Sequence, residues 1–385
     1  MGKSRLGDYI KEYSVKNKND EDIPVYSVTN TQGFCKDYFG KEVASKDKTT
    51  YKIVPRGCFA YNPSRINVGS VDWQRNEDRV IVSPLYNVFS VSEELNLQYL
   101  YYYLKSDFAL QRIRAVATGS VRDNLKLNML YEFPINIPTI DEQNILVDKL
   151  DKARKIIELH QEELKLLDEL VRGRFVEMFG DPYINEFGWK KIKIKNAVTV
   201  EPQNGMYKPQ SDYVTDGSGI PILRIDGFYD GIVTDFSSLK RLKCSENERK
   251  KYLLYEDDVV INRVNSIEYL GKCAHINGLL EDTVYESNMM RMHFDSTRFH
   301  PVYVCRLLCS RFVYDQIVNH AKQAVNQASI NQKDVLDFEI YEPPLKLQTK
   351  FSDFVYQVNK SKLIVQKELD ETQLLFDSLM QEYFG

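Results

Sequence analysis

Residues 138–180 read PTIDEQNILVDKLDKARKIIELHQEELKLLDELVRGRFVEMFG, and residues 343–385 read PPLKLQTKFSDFVYQVNKSKLIVQKELDETQLLFDSLMQEYFG. An offset of 205 carries Phe133 to Phe338, Gln143 to Gln348, Leu150 to Val355, Phe179 to Phe384 and Gly180 to Gly385 without a gap. In the first copy, steps of four and three pick out Leu146, Leu150, Ala153, Ile157, His160, Leu164, Leu167, Val171, Arg174 and Met178. The same register in the second picks out Phe351, Val355, Val358, Lys362, Val365, Leu369, Thr372, Phe376, Leu379 and Tyr383. An apolar repeat held in phase for about five heptads is a coiled-coil seam, not the face of a three-turn surface helix. Two helices of roughly 60 Å each are expected. They should run antiparallel, because the chain between them has to leave one helix end and return to start the other.

Thr139 and Glu142 have capping-box spacing, and Gly180-Asp-Pro182 is a stop signal. Pro344 replaces the capping threonine in the second copy. Gly173 lies inside the first helix at a cost of about 1 kcal/mol relative to Ala. It either marks close approach of two helices or is simply tolerated.

The sequence outside the helices is also duplicated, more loosely. Pro24–Thr29, Tyr51–Val54, Val80–Val82 and Leu85–Ser90 have strand texture, followed by a helix from Leu97 to about Ala117. Ile220–Ile225, Val259–Ile261 and Met290–Phe294 repeat that order, with a helix over Pro301–Ala324. The expected class is α+β, internally duplicated: sheet-and-helix domains at 1–137 and 181–342, long helices at 138–180 and 343–385.

Hydrophobic residues make up 43% and charged residues 28%, an ordinary globular balance. There is no run of eighteen apolar residues and no apolar stretch after Met1, so a cytoplasmic chain without membrane contact is expected. The six cysteines form no C-x-x-C pair and read as reduced core thiols, not metal ligands. The net charge of −4 does not exclude a nucleic-acid partner, because the long helices hold much of the acid, including Glu158, Glu162, Glu163, Asp168 and Glu169.

Catalytic motifs are missing. There is no P-loop, and Gly217-Ser-Gly219 sits in a turn-like stretch. Asn62-Pro63-Ser64-Arg65 lacks the aromatic residue and the glycine-rich loop that an amino-methyltransferase needs. Loops offer polar side chains instead. The first domain has Asn62, Arg65, Asn67, Arg122, Asn124 and Lys126; the second has Lys208, Arg224, Arg263, Asn265, Ser266, Lys272, Asn326, Gln327 and Asn331. Arg reads guanine in the major groove, Asn and Gln read adenine, and Lys and Ser hold phosphates. Such groups recur at corresponding places in both halves, which favours paired readers of DNA over scattered surface residues.

Tyr61-Asn-Pro-Ser-Arg-Ile-Asn-Val-Gly-Ser70, Gly119-Ser-Val-Arg122, Phe133–Pro138 with Glu142-Gln143, Arg263-Val-Asn-Ser266, Leu270-Gly-Lys272 and Leu170–Pro182 together resemble the specificity subunits of type I restriction-modification systems. The resemblance covers nearly the whole chain. It implies two target recognition domains that read the halves of a bipartite site on double-stranded DNA. It also implies two partner methyltransferase subunits that use AdoMet, and motor-nuclease subunits, where present, that use ATP and Mg. This chain would hold no cofactor and do no chemistry. Ala324-Val-Asn326 departs from the Gly-Ser turn expected there. The rival readings are a coiled-coil assembly scaffold that makes no DNA contacts and a single-chain restriction-modification enzyme, which would need the catalytic motifs that are missing.

Equal heptad stripes also suggest a ruler. Inserting seven residues after His160 and seven after Val365 keeps both seams in phase and adds about 10 Å, or roughly three base-pair steps. Adenine methylation is expected to fall at the original spacer length and to survive only at a longer one, scored on duplexes that differ in spacer alone. Undiminished methylation at the original spacing would show that the helices do not measure DNA.

Overall fold

Both repeats become single helices, Ile140–Phe179 and Leu345–Phe384, of 40 residues each. The structure, a computed structural model, describes residues 4–36, 47–117, 124–229, 231–233 and 235–385. The first long helix starts on its capping box: the Thr139 N–H donates to Glu142 Oε2 at 2.9 Å, and the Glu142 N–H to Thr139 Oγ1 at 3.4 Å. It stops at Gly180, whose φ of +78° is the left-handed conformation that ends helices. Every position of both heptad stripes is buried or half-buried. Gly173 is exposed, and a Cβ there would meet nothing within 4 Å. No close approach of a second helix explains it.

The chain divides into two compact units, residues 1–162 with 365–385 and residues 163–364. Each unit therefore contains one part of each long helix. Among the described residues, the first unit has a four-stranded antiparallel sheet in the order Ile10–Glu12, Asn87–Val91, Phe59–Tyr61, Val71–Trp73. Phe59 and Phe89 stack across it with ring centroids 5.2 Å apart. Helices Leu97–Lys105 and Asp107–Ala117 cover the sheet, burying Leu100, Leu104 and Ile113. Leu146 and Leu150 join the same core, with Phe376, Leu379 and Phe384 from the other long helix. The helix segments run antiparallel here. Tyr102 bonds Asp151 and lies 6.1 Å from the Phe376 ring, whereas Asn96 meets Gln143 and Tyr99 meets Phe384.

In the second unit, six described strands order as Val198–Asn204, Met289–Phe294, Asp258–Asn262, Cys273–His275, Gly231–Val233, Phe228–Tyr229. Helices Pro301–Leu308 and Arg311–His320 pack on this sheet, and Val171, Phe175 and Phe179 join Phe351, Val355 and Val358 in the core. The segments are antiparallel again: Phe175 lies 5.5 Å from Phe351, while Asp168 accepts from Lys362 at 2.5 Å.

The covering helix expected in each half is broken. Ser106 Oγ donates to Tyr103 O at 2.7 Å and accepts from the Ala109 N–H; Ser310 Oγ does the same with Leu307 O and the Val313 N–H. In each case a serine caps a second helix and redirects the chain. After His320 the expected helix gives way to a hairpin, Lys322–Gln323 paired with Ala328–Ser329.

The two units share one hydrogen-bond key. Gln143, fully buried, accepts from the Asn96 N–H at 2.8 Å and donates to Glu94 O and Pro138 O at 2.9 Å. Gln348, also fully buried, accepts from the His300 N–H at 2.8 Å and donates to Arg298 O and Pro343 O at 2.9 and 2.8 Å. Each glutamine ties the first turn of a long helix to the turn before the covering helix. Removing it leaves buried backbone groups unpaired, at about 1–3 kcal/mol each. Gln348→Leu is expected to cost about 3 kcal/mol in urea unfolding of the second unit, and a loss below about 1 kcal/mol would refute this role.

Candidate nucleic-acid interface

In the first unit, the strand Phe59–Tyr61 runs into a tight turn. Asn62 Oδ1 accepts from the Ser64 N–H and hydroxyl at 3.1 and 2.9 Å, and the Asn62 carbonyl accepts from the Arg65 and Ile66 N–H groups. Gly69, at φ +85°, closes the short 3-10 helix Ile66–Val68 that follows. The Leu125 N–H donates to Pro63 O at 3.1 Å, and the Tyr61 hydroxyl donates to Leu125 O at 3.1 Å. Exposed Asn124 and Lys126 are thereby held beside Asn62 and exposed Arg65. Burial pushes the Tyr61 phenol up, so it stays a donor. Asn62 and Arg65 also line an open groove of about 530 Å³ with Val68, Ser83 and Leu85. Asn67 gives its carbonyl to Arg114 at 3.2 Å, and Arg122 lies outside the described residues.

The second unit makes the same connection with other side chains. The Ile330 N–H donates to Arg263 O at 3.0 Å, and Val264 and Asn265 pair with Ser329 and Ala328. Ser329 and Ala328 pair in turn with Lys322 and Gln323. This small sheet brings together Arg263, Asn265, Gln327 and the hairpin. Arg263 keeps one guanidinium bond, to Ser287 O at 3.1 Å, and Asn265 Oδ1 accepts from the Ser266 N–H. Asn326 and Gln327 are exposed.

Other candidates serve the fold. Lys208 lies between Glu248, at 2.9 Å, and Asp212, at 3.5 Å, and Glu248 raises its pKa. Glu248 is itself held down to about 2 by the Ser245 backbone N–H and by Lys208. Asn331 caps a helix by accepting from the Lys333 and Asp334 N–H groups. Lys272 donates to Ile225 O at 2.8 Å with its ammonium 3.7 Å from the Tyr229 ring centroid. Arg224 donates to the Tyr213 hydroxyl at 3.1 Å near Glu286.

Sequence reasoning passed over Leu85 and Val325, which are 77% and 99% exposed. The available signal was a large apolar residue inside a turn. Among the described residues, no cluster of three or more His, Cys, Asp or Glu side chains is arranged to hold a metal ion, and no helix is long and apolar enough to cross a membrane.

Residues 3–169 match the family described as the type I restriction modification DNA specificity domain. The EcoKI specificity subunit of Escherichia coli K12 is 22% identical over 97% of this chain and 83% of its own length. The StySPI specificity subunit of Salmonella potsdam shows the same identity and coverage. Among solved structures, the S subunit of a type I restriction-modification system from M. genitalium superposes with a TM-score of 0.58 at 14% identity, covering 100% of this chain and 96% of that one. A chain from a study of complex assembly in a type I system gives 0.57 at 18% identity, covering 99% and 96%.

Exposed and internally paired lysines should behave differently on DNA. Lys126→Ala is expected to lower the slope of log affinity against log salt by about 0.9, the effect of one phosphate contact. Lys208→Ala should leave that slope unchanged and lower the thermal midpoint. Fluorescence anisotropy across a salt series, with the partner methyltransferase present, checks both.

Proposed function

We propose that this chain, whose residues 3–169 match the type I restriction modification DNA specificity domain and which is similar to type I specificity subunits over 97% of its length, reads the two halves of a bipartite DNA site with its two units for partner enzymes. One observation carries this reading. The same backbone link, Leu125 to Pro63 in one unit and Ile330 to Arg263 in the other, displays two different polar sets. One contains Asn62, Arg65, Asn124 and Lys126; the other contains Arg263, Asn265, Asn326 and Gln327. A shared frame with different base-reading groups is what two unlike half-sites require.

The long helices support docking of partners. Beyond the seam, Ile145, Ile156 and Leu159 in the first unit and Leu166, Leu170, Leu363 and Ile364 in the second stand 43–73% exposed. Apolar side chains left this exposed along a helix suit partner helices. We assign these partners as two methyltransferase subunits carrying AdoMet, with two motor-nuclease subunits carrying ATP and Mg where the system restricts as well as modifies. We place this work on double-stranded DNA in the cytoplasm.

Domain exchange tests the reading. Replacing residues 1–137 with the matching segment of a relative is expected to change one half of the methylated sequence and leave the other half intact, as read by methylation-sensitive sequencing of cells expressing the chimera with its methyltransferase. A chimera that alters both halves, or neither, would refute the assignment of one unit to each half-site.

A further inference from the structure

The hairpin Lys322–Ser329 carries a side chain that its own fold does not use. Its four-residue loop, 324–327, is closed by the Ala324 N–H donating to Gln327 O at 2.7 Å. Val325, at the tip, is 99% exposed. Turns favour Gly, Asn, Asp, Pro and Ser for definite reasons of conformation and local hydrogen bonding. A stiff β-branched residue offers none of these. Exposed Gln323, Asn326 and Gln327 surround it with amide donors and acceptors, and Lys322 adds a positive charge. The base of the hairpin is pinned, since Ser329 and Ala328 pair with Val264 and Asn265. The tip therefore projects from a fixed platform.

A two-stranded ribbon fits the major groove of B-DNA, where adenine offers N7 and N6 to an amide and thymine offers its 5-methyl group to an apolar side chain. A lone apolar tip bracketed by amides matches an A·T pair and makes a poor protein-binding patch, which needs contiguous apolar area. We infer that the hairpin enters the major groove of the half-site read by the second unit, with Val325 packed on the 5-methyl group of a thymine and the neighbouring amides reading adenine. This rests on the DNA-reading function proposed above and assigns it a specificity-determining residue.

The test uses the full chain with its partner methyltransferase. Once the methylated sequence is known, each thymine in the half-site left unchanged by exchange of residues 1–137 is replaced singly by deoxyuridine, which lacks only that methyl group. At one position, binding is expected to fall about fourfold, the worth of one buried methyl. Val325→Ala should lose a similar factor on the thymine duplex and bind thymine and deoxyuridine duplexes alike, with an unchanged thermal midpoint. The inference is overturned if the half-site has no thymine on either strand, if every deoxyuridine duplex binds as well as its parent, or if Val325→Ala keeps the discrimination. A Val325→Ala variant that loses methyltransferase binding with the thymine preference intact would make the tip a protein contact and overturn it as well. Failure of the wild-type complex to prefer any sequence would instead defeat the underlying reading, a result the salt series and the exchange chimera reveal separately.

Discussion

Each unit of this protein depends on one buried glutamine. Gln143 and Gln348 each sit at the first turn of a 40-residue helix with three hydrogen bonds to main chain, in a place closed to water. A side-chain amide has donors and acceptors enough to satisfy an N–H and two carbonyls at once, and an apolar residue of the same size would strand them. The bond to the N–H of Asn96 or His300 reaches the residue that caps the covering helix. One side chain thus fixes the start of two helices. Aromatic packing completes the arrangement: Tyr99 meets Phe384 at 5.0 Å, and Tyr303 meets Phe179 at 4.6 Å.

Around this fixed frame the surfaces have diverged. The cleft at Ser310 is lined by Arg172, Arg306 and Arg311 with Asp181, whereas the corresponding cleft at Ser106 is lined by Asp107 and Asp377 with Lys105. The loops behave likewise. Among the described residues, the Leu125 N–H meets Pro63 O in the first unit, whereas in the second the Ile330 N–H meets Arg263 O beside a three-stranded sheet that carries the hairpin. Backbone hydrogen bonds tolerate such change because they do not depend on the side chain displayed.

Electrostatics sort the cationic candidates. Lys208 and Lys272 are engaged, by carboxylates in one case and by a carbonyl and an aromatic face in the other. A charge already neutralised within the protein releases fewer counterions on DNA than one that meets phosphate from water. Arg65 and Lys126 stand exposed and Arg263 is half-buried. The net charge of −4 averages over helices and loops and says nothing about which of them faces DNA.

The duplication and the two long helices can be read from the chain alone, because periodicity and caps are local properties. Thr139 with Glu142 forms the capping box that its spacing requires, and the 3.5-residue repeat selects the buried faces. The breaks at Ser106 and Ser310 were legible in principle, as a serine at the same place in both copies, but apolar periodicity runs through them. Which of these loop residues become neighbours depends on the tertiary structure. Arg263 and Gln327 are brought together through Ile330 and a strand pairing that spans more than sixty residues of chain. It also decided that Lys208 and Asn331 serve an ion pair and a helix cap while Val325 stands in water. A side chain's chemical type is written in the sequence, but whether its hydrogen bonds are already made depends on neighbours that long-range pairing alone supplies.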